Sequence, residues 1–190
     1  MRLFLAINLP DDVRRRAYEA AAPLRAASPA VSWVAERNLH LTLKFLGEVP
    51  DGGDDGIVRG TQEVVGRHAG ITLSIGGFGA FPNMRRPRVV WLGIAGDPRL
   101  ELLLHDVEVA CAALGFAVEG RPFRPHVTLG RVKGAMSADE ARALAAAARS
   151  ARFRASSAVE SVDVMRSELS PGGSRYTVLA ALPLPSSRST

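Results

Sequence analysis

Several features that would assign this chain of 190 residues to a class are scarce or missing. Cys111 is the only cysteine, which excludes an internal disulfide and a zinc site built from several thiolates. Because it lies in the apolar pattern VEVACAALGF, we predict a buried small hydrophobe rather than a nucleophile. No apolar run approaches the roughly 20 residues of a membrane-spanning helix, and Asp11 and Asp12 interrupt the start too early for a secretory signal. The sequence therefore predicts a cytoplasmic protein that does not enter a membrane.

Lysine is also scarce, since all but two of the 24 basic residues are arginines, and the formal net charge is +5. Two interpretations stay open. Heavy use of Ala, Gly and Arg is typical of GC-rich coding. An arginine surplus also favours polyanions, because the guanidinium plane contacts two phosphate oxygens at once. The loop Arg-Arg-Pro-Arg at 85–88 is a candidate contact for an RNA backbone, with a plain solvated loop as the alternative.

The order of predicted elements indicates one α+β domain over residues 1–184 and a disordered tail at 185–190. Strands are predicted at 2–8, 40–46, 71–77, 88–95, 126–132, 159–166 and 175–182. Helices are predicted at 11–26, at 55–68, from Pro98 to just before Gly115, and at 138–150, and a turn at Pro171, Gly172 and Gly173. Strand–helix–strand order occurs in both halves, and each half has one histidine strand. We therefore expect two similar lobes that face each other across a cleft.

Two of the four histidines open nearly identical strings, His-Leu-Thr-Leu at 40–43 and His-Val-Thr-Leu at 126–129. Side chains alternate along a strand, so each string turns its histidine and threonine to one face and its apolar residues to the core. Two such faces across a cleft group two imidazoles and two hydroxyls around one small space. The other histidines, His68 and His105, lack this motif and are expected to be satisfied core or surface residues.

This grouping favours general acid–base chemistry on a phosphodiester. One neutral imidazole takes a proton from water while one protonated imidazole gives a proton to the leaving oxygen. Thr42 and Thr128 would donate hydrogen bonds to the phosphate oxygens as negative charge builds on them. No ligand pattern such as HExxH is present, so no metal and no cofactor are predicted. His40 and His126 are the candidate catalytic pair, and their near-symmetric strings leave open which of them is the acid.

The two strings resemble the H-x-[ST]-x motifs of the 2H phosphoesterase superfamily. Within it, the chain is similar to the bacterial and archaeal RNA 2′,3′-cyclic phosphodiesterases, also described as 2′-5′ RNA ligases. The similarity extends over RLFLAINLP, HLTLKFLGE, FPNMRRPRVVWLGI, RPFRPHVTLGR and ELSPGGSRYTVL. It implies a bilobal fold with two antiparallel-rich sheets, flanked by helices, around a central cleft. It also implies metal-independent hydrolysis of RNA 2′,3′-cyclic phosphate to 2′-phosphate, with His40 as proton donor and His126 as acceptor, and ligation as the reverse reaction.

Three cationic residues are candidates for binding the phosphate. The resemblance matches Arg131 to an arginine that contacts phosphate in the family. Simple alternation places Arg131 on the face opposite its histidine, so a bend at Gly130 or a long reach is needed. Alternation itself favours Lys44 and Arg124, and Arg124 ranks lower because a proline follows it.

The expected partners are RNAs with 2′,3′-cyclic phosphate ends, such as tRNA fragments, or nucleotides, bound by a monomer. Phe45, Phe81 and Phe123 are candidates for stacking on bases, although alternation favours core packing for Phe45. Two alternatives stay open. One is a phosphodiesterase for another substrate, such as ADP-ribose 1″,2″-cyclic phosphate or a 2′,5′-linked oligonucleotide. The other is a non-catalytic module that binds a nucleotide or an RNA end.

Overall fold

A computed structural model describes residues 1–170 and 173–185, and the strands in these ranges form one antiparallel sheet. The strands are β1 (Arg2–Asn8), β2 (Val31–Trp33), β3 (His40–Glu48), β4 (Thr72–Phe81), β5 (Val89–Ile94), β6 (His126–Val132), β7 (Arg154–Ala158), β8 (Ser161–Ser170) and β9 (Gly173–Pro183). Their order is β7-β4-β5-β6-β3-β1-β8-β9, and β2 pairs with β6. The predicted α+β fold with two lobes is confirmed, except that the two expected sheets are the halves of one sheet.

The two halves meet at β3 and β6, the strands that carry the histidine strings. Within the described ranges, the register between these strands consists of the pair Leu41–Val127. By contrast, β8 pairs with β9 along its whole length. The halves β7-β4-β5-β6 and β3-β1-β8-β9 are therefore joined narrowly, at the place where both histidine strings begin.

Helices cover one face of the sheet. They are α1 (Asp11–Ala20), α2 (Ala22–Ala27), α3 (Asp54–Val65), α4 (Pro98–Ala113) and α5 (Ala138–Ser150), with a 3₁₀ turn at Glu36–Asn38. Buried leucines, isoleucines and valines of β1, β3, β5 and β6 pack with Leu100, Leu103 and Val107 of α4 in the main core. Fully burying such a side chain contributes about 1.5–3 kcal/mol, so this core holds the helices on the face away from the histidines.

Local sequence sets the ends of α4 and α5 as predicted. The side chain of Asp97 caps the first turn of α4, and Pro98 occupies its first position. The chain leaves α4 through Gly115, whose φ of +91° is strained for residues that carry a Cβ. Ser137 and Glu140 form the predicted capping box at the start of α5.

Some elements differ from the prediction. The helix predicted over 11–26 is two helices, because Pro23 lacks the N–H that an uninterrupted helix would donate to the carbonyl of Glu19. The short strands β2 and β7 are absent from the prediction, since sequences such as RASSA show no apolar alternation.

Part of the chain lies outside the described residues, namely Pro171 and Gly172 of the predicted turn and residues 186–190 of the predicted disordered tail. Within the described ranges, the helices are too short or too polar to cross a lipid bilayer.

Candidate active site

The two histidine strings lie side by side where the sheet halves meet. The antiparallel pair Leu41–Val127 joins them one residue after each histidine. Continuing that register by one residue sets each histidine opposite the threonine of the other string. Both histidines therefore lie directly beside the pair Leu41–Val127, on the face opposite its two core side chains. The structure thus brings the four predicted side chains together on the face away from the helices.

A backbone carbonyl orients each imidazole. Nδ1 of His40 lies 2.7 Å from the carbonyl oxygen of Asn38, and Nδ1 of His126 lies 2.6 Å from that of Arg124. Because a carbonyl can only accept, Nδ1 must carry a proton in both rings, and Nε2 is left for chemistry. Nε2 of His40 lies 3.0 Å from Oγ1 of Thr42, whose hydroxyl donates to the neutral imidazole.

Aromatic rings enclose both imidazoles. The ring of His40 lies 5.1 Å from that of Phe4 and 5.3 Å from that of Tyr176, centre to centre, and meets Tyr176 edge to face. The ring of His126 meets Phe81 edge to face at 5.0 Å. Burial lowers the pKa of His40 below its ordinary value of 6.5, and the hydrogen bond to the backbone carbonyl offsets part of that shift. The free protein therefore favours the neutral form of this imidazole.

A one-residue bulge follows the threonine in each string. The register of β3 with β1 passes over Leu43, and that of β6 with β5 passes over Leu129, the equivalent position. An unpaired residue in one strand reverses the alternation beyond it. The second residue after each bulge, Phe45 on β3 and Arg131 on β6, therefore lies on the histidine face.

The bulge in β3 overturns the prediction for Lys44. Nζ of this buried residue lies 2.9 Å from Oε2 of Glu108 and 2.5 Å from the carbonyl oxygen of Ala117, on the helix-covered face. The prediction that Lys44 shares the face of His40 is wrong. Its ammonium is held by a carboxylate of α4, so it does not reach a phosphate bound between the histidines.

The same bulge corrects the prediction for Phe45. The side chain is 66% exposed, and its ring centre lies 6.1 Å from that of Phe4, which contacts the imidazole of His40. The expectation of core packing for Phe45 is therefore wrong. A large aromatic ring on the open face beside the histidines has the exposure that stacking on a base requires.

The two remaining cationic candidates lie on β6 or just before it, Arg131 near the end of the strand and Arg124 two residues before His126. The bulge at Leu129, rather than a bend at Gly130, turns the exposed Arg131 to the histidine face. The guanidinium carbon of Arg124 lies 5.9 Å from the ring centre of Phe81. Because that ring contacts His126, Arg124 also borders the space between the histidines.

Sequence reasoning missed a polar network next to His40. Asn8 pairs with His40 in the register of β1 and β3, so both side chains share a face. Nδ2 of Asn8 donates to Asp163 at 2.6 Å, and the hydroxyl of Ser161 donates to the same carboxylate at 2.6 Å. Since Asp163 is only 6% exposed, a buried carboxylate fixes the amide and leaves its carbonyl oxygen as an acceptor beside His40. A polar residue closing the apolar run RLFLAIN was the signal for Asn8. Tyr176 lies in ELSPGGSRYTVL, one of the strings that carry the family resemblance, whereas no motif marks Asp163.

The other candidate groups lie behind the sheet. Nε2 of His68 lies 3.0 Å from Oδ2 of Asp106, where the end of α3 meets α4. Cys111 is fully buried as predicted, and burial raises the pKa of its thiol to about 11. Over residues 1–170 and 173–185, no three His, Cys, Asp or Glu side chains are grouped as a metal site. The histidine face presents imidazoles, hydroxyls and guanidinium groups.

Comparisons with known proteins show which family the sequence matches. The family model of the 2′-5′ RNA ligase superfamily matches residues 9–171. The RNA 2′,3′-cyclic phosphodiesterase of Methanothermobacter thermautotrophicus is 34% identical over 177 residues, which cover 93% of this chain and 95% of that relative. The enzyme of the same name from Thermus thermophilus is 34% identical over 94% of this chain and 88% of its own.

Solved structures show the same architecture. The crystal structure of TT0787 of Thermus thermophilus superposes with a TM-score of 0.76 at 28% identity, covering 99% of this chain and 100% of that one. E. coli LigT in complex with 3′-AMP gives a TM-score of 0.73 at 33% identity, covering 96% and 97%. The likeness therefore spans both halves of the sheet.

Proposed function

The chain belongs to the 2′-5′ RNA ligase superfamily, and we propose that it hydrolyses RNA-terminal 2′,3′-cyclic phosphate to a 2′-phosphate through His40 and His126. The register of β3 and β6 carries this proposal, because it sets two imidazoles with matching tautomers on one face. A site that only binds a nucleotide has no need of two such groups. Relatives named RNA 2′,3′-cyclic phosphodiesterase cover nearly the whole chain, which supports the same reaction.

The reaction needs one proton removed and one supplied. Nε2 of His126 takes a proton from water as the water oxygen bonds to phosphorus. The bond from phosphorus to the 3′ oxygen breaks, and Nε2 of His40 gives its proton to that oxygen. The products are a 3′-hydroxyl and a 2′-phosphate, and each proton transfer contributes about 10²–10⁴ in rate. Ligation would use the same groups with a 5′-hydroxyl in place of water: its oxygen bonds to phosphorus as Nε2 of His126 takes its proton, the 3′ oxygen leaves with a proton from His40, and a 2′-5′ linkage forms; cleavage of that linkage to the cyclic phosphate is the reverse path.

The lowered pKa of His40 bears on its role as the acid. Burial favours the neutral form in the free protein. An anionic phosphate beside Nε2 favours the imidazolium and opposes that shift. His40 then becomes the acid when the substrate binds, and takes up a proton with it.

Residues on both histidine strands stabilise the negative charge of the phosphate. The hydroxyls of Thr42 and Thr128 donate to its non-bridging oxygens, and the guanidinium of Arg131, followed by that of Arg124, neutralises the charge that develops. These groups supply the stabilisation that the phosphoryl transfer requires, so the mechanism uses no metal or cofactor.

The partner of the site is RNA with a 2′,3′-cyclic phosphate end, such as a tRNA fragment, or a nucleotide with the same group. E. coli LigT has been crystallised with 3′-AMP and with phosphate, which supports a nucleotide phosphate as the occupant. One chain supplies both histidines, so the site is complete in a monomer.

The test is hydrolysis of a short RNA with a 2′,3′-cyclic phosphate end, in EDTA, by the unaltered protein, His40→Ala and His126→Ala. We expect a 2′-phosphate product and a loss of at least about 10² in kcat for each variant. His68→Ala is the matched control, because His68 lies behind the sheet.

Three outcomes would contradict the proposal. A 3′-phosphate product would reverse the leaving group, and activity that requires added metal would remove the two-histidine mechanism. The third outcome is that the folded protein does not hydrolyse the RNA but does hydrolyse ADP-ribose 1″,2″-cyclic phosphate or a 2′,5′-linked oligonucleotide. The substrate of the site would then be that compound.

A further inference from the structure

A hollow of about 540 Å³ lies outside the cleft, between α5, β4 and the segment leading into β7. A second hollow of about 360 Å³ shares Met84 and Arg149 with it and continues it to Arg85 and Arg142. Together they form one channel, which we call the α5 trough. Its floor and rim are made chiefly by Phe78, Met84, Arg149, Arg152, Phe153 and Arg154.

The trough is strongly cationic. Five arginines line the two hollows, and no residue among those described as lining them is acidic. Arg142 pairs with Asp139, at the start of α5. Arg16 of α1 adds a further cation, since its guanidinium carbon lies 5.7 Å from the ring centre of Phe153 and its Nη2 donates to the carbonyl oxygen of Arg154. Like charges gathered in a concave surface raise the local positive potential and favour a polyanion there.

The floor of the trough narrows the choice of polyanion. Phe78 and Phe153 are partly buried rings, and the lining residues of α5 include the small side chains of Ala145 and Ala148. A cationic rim over an aromatic floor suits single-stranded nucleic acid, whose phosphates contact guanidinium groups while its bases stack on rings and guanidinium planes.

The trough lies on the helix-covered face, and the loop between β4 and β5 links it to the histidine face. The ring of Phe81 contacts His126, and Met84, three residues further along, lines the trough. Three residues span at most about 11 Å. Between them, the side chain of Asn83 accepts hydrogen bonds from the backbone N–H groups of Arg85 and Arg86, which holds the loop and leaves both arginines exposed. An RNA strand that leaves His126 around the end of this loop would pass Arg85 and Arg86 before it reaches the trough.

We propose that the α5 trough binds the single-stranded RNA that precedes the cyclic end, so that the protein distinguishes an RNA terminus from a free cyclic nucleotide. This inference rests on the proposed function for the identity of its substrate. It also gives a role to the arginine loop at 85–88, which the two-histidine chemistry does not use.

The test compares an octanucleotide that ends in a 2′,3′-cyclic phosphate with 2′,3′-cyclic AMP. The trough variant is Arg149→Glu/Arg152→Glu. The control is Arg59→Glu/Arg67→Glu, which makes the same charge change on and just after α3, a helix that packs on β8 and β9 of the other half. In the trough variant, we expect the KM for the octanucleotide to rise at least tenfold, and kcat and KM for 2′,3′-cyclic AMP to stay unchanged. The control should change neither substrate.

Salt dependence and direct binding give independent measures. Loss of two phosphate contacts should reduce the slope of log affinity against log salt by about 1.4. Binding of a labelled octanucleotide with a 3′-hydroxyl, followed by fluorescence anisotropy, should weaken at least tenfold in the trough variant. This readout needs no catalysis, so it tests the trough even where neither substrate is hydrolysed and the proposed function fails.

The inference is overturned by an equal rise in KM in the trough and control variants. It is also overturned if anisotropy shows the same affinity for the trough variant and the unaltered protein while hydrolysis of cyclic AMP proceeds normally.

Discussion

The strand that carries His40 and the strand that carries His126 share a histidine, a threonine and a bulge. Their sequences differ from the first residue after the bulge. β3 continues with Lys44 and Phe45, and β6 with Gly130 and Arg131. Lys44 faces the helices and pairs with the carboxylate of Glu108 on α4. At Gly130, by contrast, a Cβ would lie 2.5 Å from a side-chain carbon of β2. One backbone plan therefore places both imidazoles, while the residues beyond the bulge give each half its own chemistry.

On the open face, the second residue after the bulge adds an exposed aromatic ring on the side of His40 and an exposed cation on the side of His126. Phe45 extends the rings of Phe4 and Tyr176 around His40. Arg131 and Arg124 supply charge around His126. A nucleotide has an uncharged, flat base at one end and an anionic phosphate at the other. We therefore expect the terminal base to lie towards β3 and the phosphates of the preceding nucleotides towards β6.

The largest effect should be on kcat, in an experiment that distinguishes the acid from the base. With an ordinary cyclic phosphate, His40→Ala and His126→Ala should each lower kcat by about 10²–10⁴. With a sulfur in place of the bridging 3′ oxygen, the leaving group needs no protonation, so His40→Ala should recover to within tenfold of the unaltered protein and His126→Ala should not. Single-turnover kinetics on both substrates provide the measurement. Recovery of His126→Ala instead would exchange the two roles.

The next effect is on stability and concerns the residues behind the bulges. Lys44→Met leaves the partly buried carboxylate of Glu108 without its ammonium partner and should lower the free energy of unfolding by about 1–3 kcal/mol. The double variant Lys44→Met/Glu108→Leu should recover most of that loss, as shown by urea unfolding. The KM for a cyclic nucleotide should not change in either folded variant. A rise in KM in the folded Lys44→Met variant would indicate that Lys44 does contact the phosphate.

A smaller effect should distinguish the aromatic side from the cationic side. Arg131→Ala removes a charged hydrogen-bond donor and should lower kcat/KM about 10- to 100-fold for every cyclic phosphate. Phe45→Ala should raise KM by about 5- to 100-fold with kcat nearly unchanged, because stacking contributes to binding rather than to charge stabilisation. Phe45→Trp, which preserves a stacking surface, is the control. Equal losses of kcat in both alanine variants would remove the contrast between the two sides.

The smallest effect is the pH dependence of stability that follows from the burial of His40. Its pKa in the folded protein lies below 6.5, so between that pKa and 6.5 the unfolded chain binds more protons than the folded one. The contribution to stability is complete above about pH 6.5 and is lost as pH falls towards the folded pKa. His40→Gln, which does not titrate, should lose less stability between pH 7.5 and pH 5 in urea unfolding. Parallel losses in both proteins would show that burial does not shift this histidine.

How far the sequence predicts the site depends on position relative to the bulges. His40, Thr42 and their counterparts precede the bulge, so counting alternate residues from the sequence places them correctly. Lys44 and Phe45 follow it, and the same counting assigns each to the wrong face. Leucine is an ordinary strand residue, so nothing at Leu43 announces a change of register. For Arg131, the family resemblance indicated the histidine face where counting alone did not.

The fold shows the same limit. Long elements with capping signals, such as α4 and α5, are predictable from local sequence. The α5 trough is assembled from β4, α5 and the segment before β7, whose approach depends on tertiary packing. The sequence therefore exposes only one part of it, the arginine loop at 85–88.

The narrow junction between the sheet halves has a mechanical consequence. The pair Leu41–Val127 lies one residue, about 3.4 Å, from each histidine, whereas the edge strands β7 and β9 lie three strands away, roughly 14 Å. Rotation of one half about this pair moves the outer rim about four times as far as it moves the imidazoles. The histidines lie close to this axis, and the edge strands β7 and β9 lie far from it. Any change in the angle between the two halves would therefore displace the backbone of the outer strands more than the backbone of the two histidines.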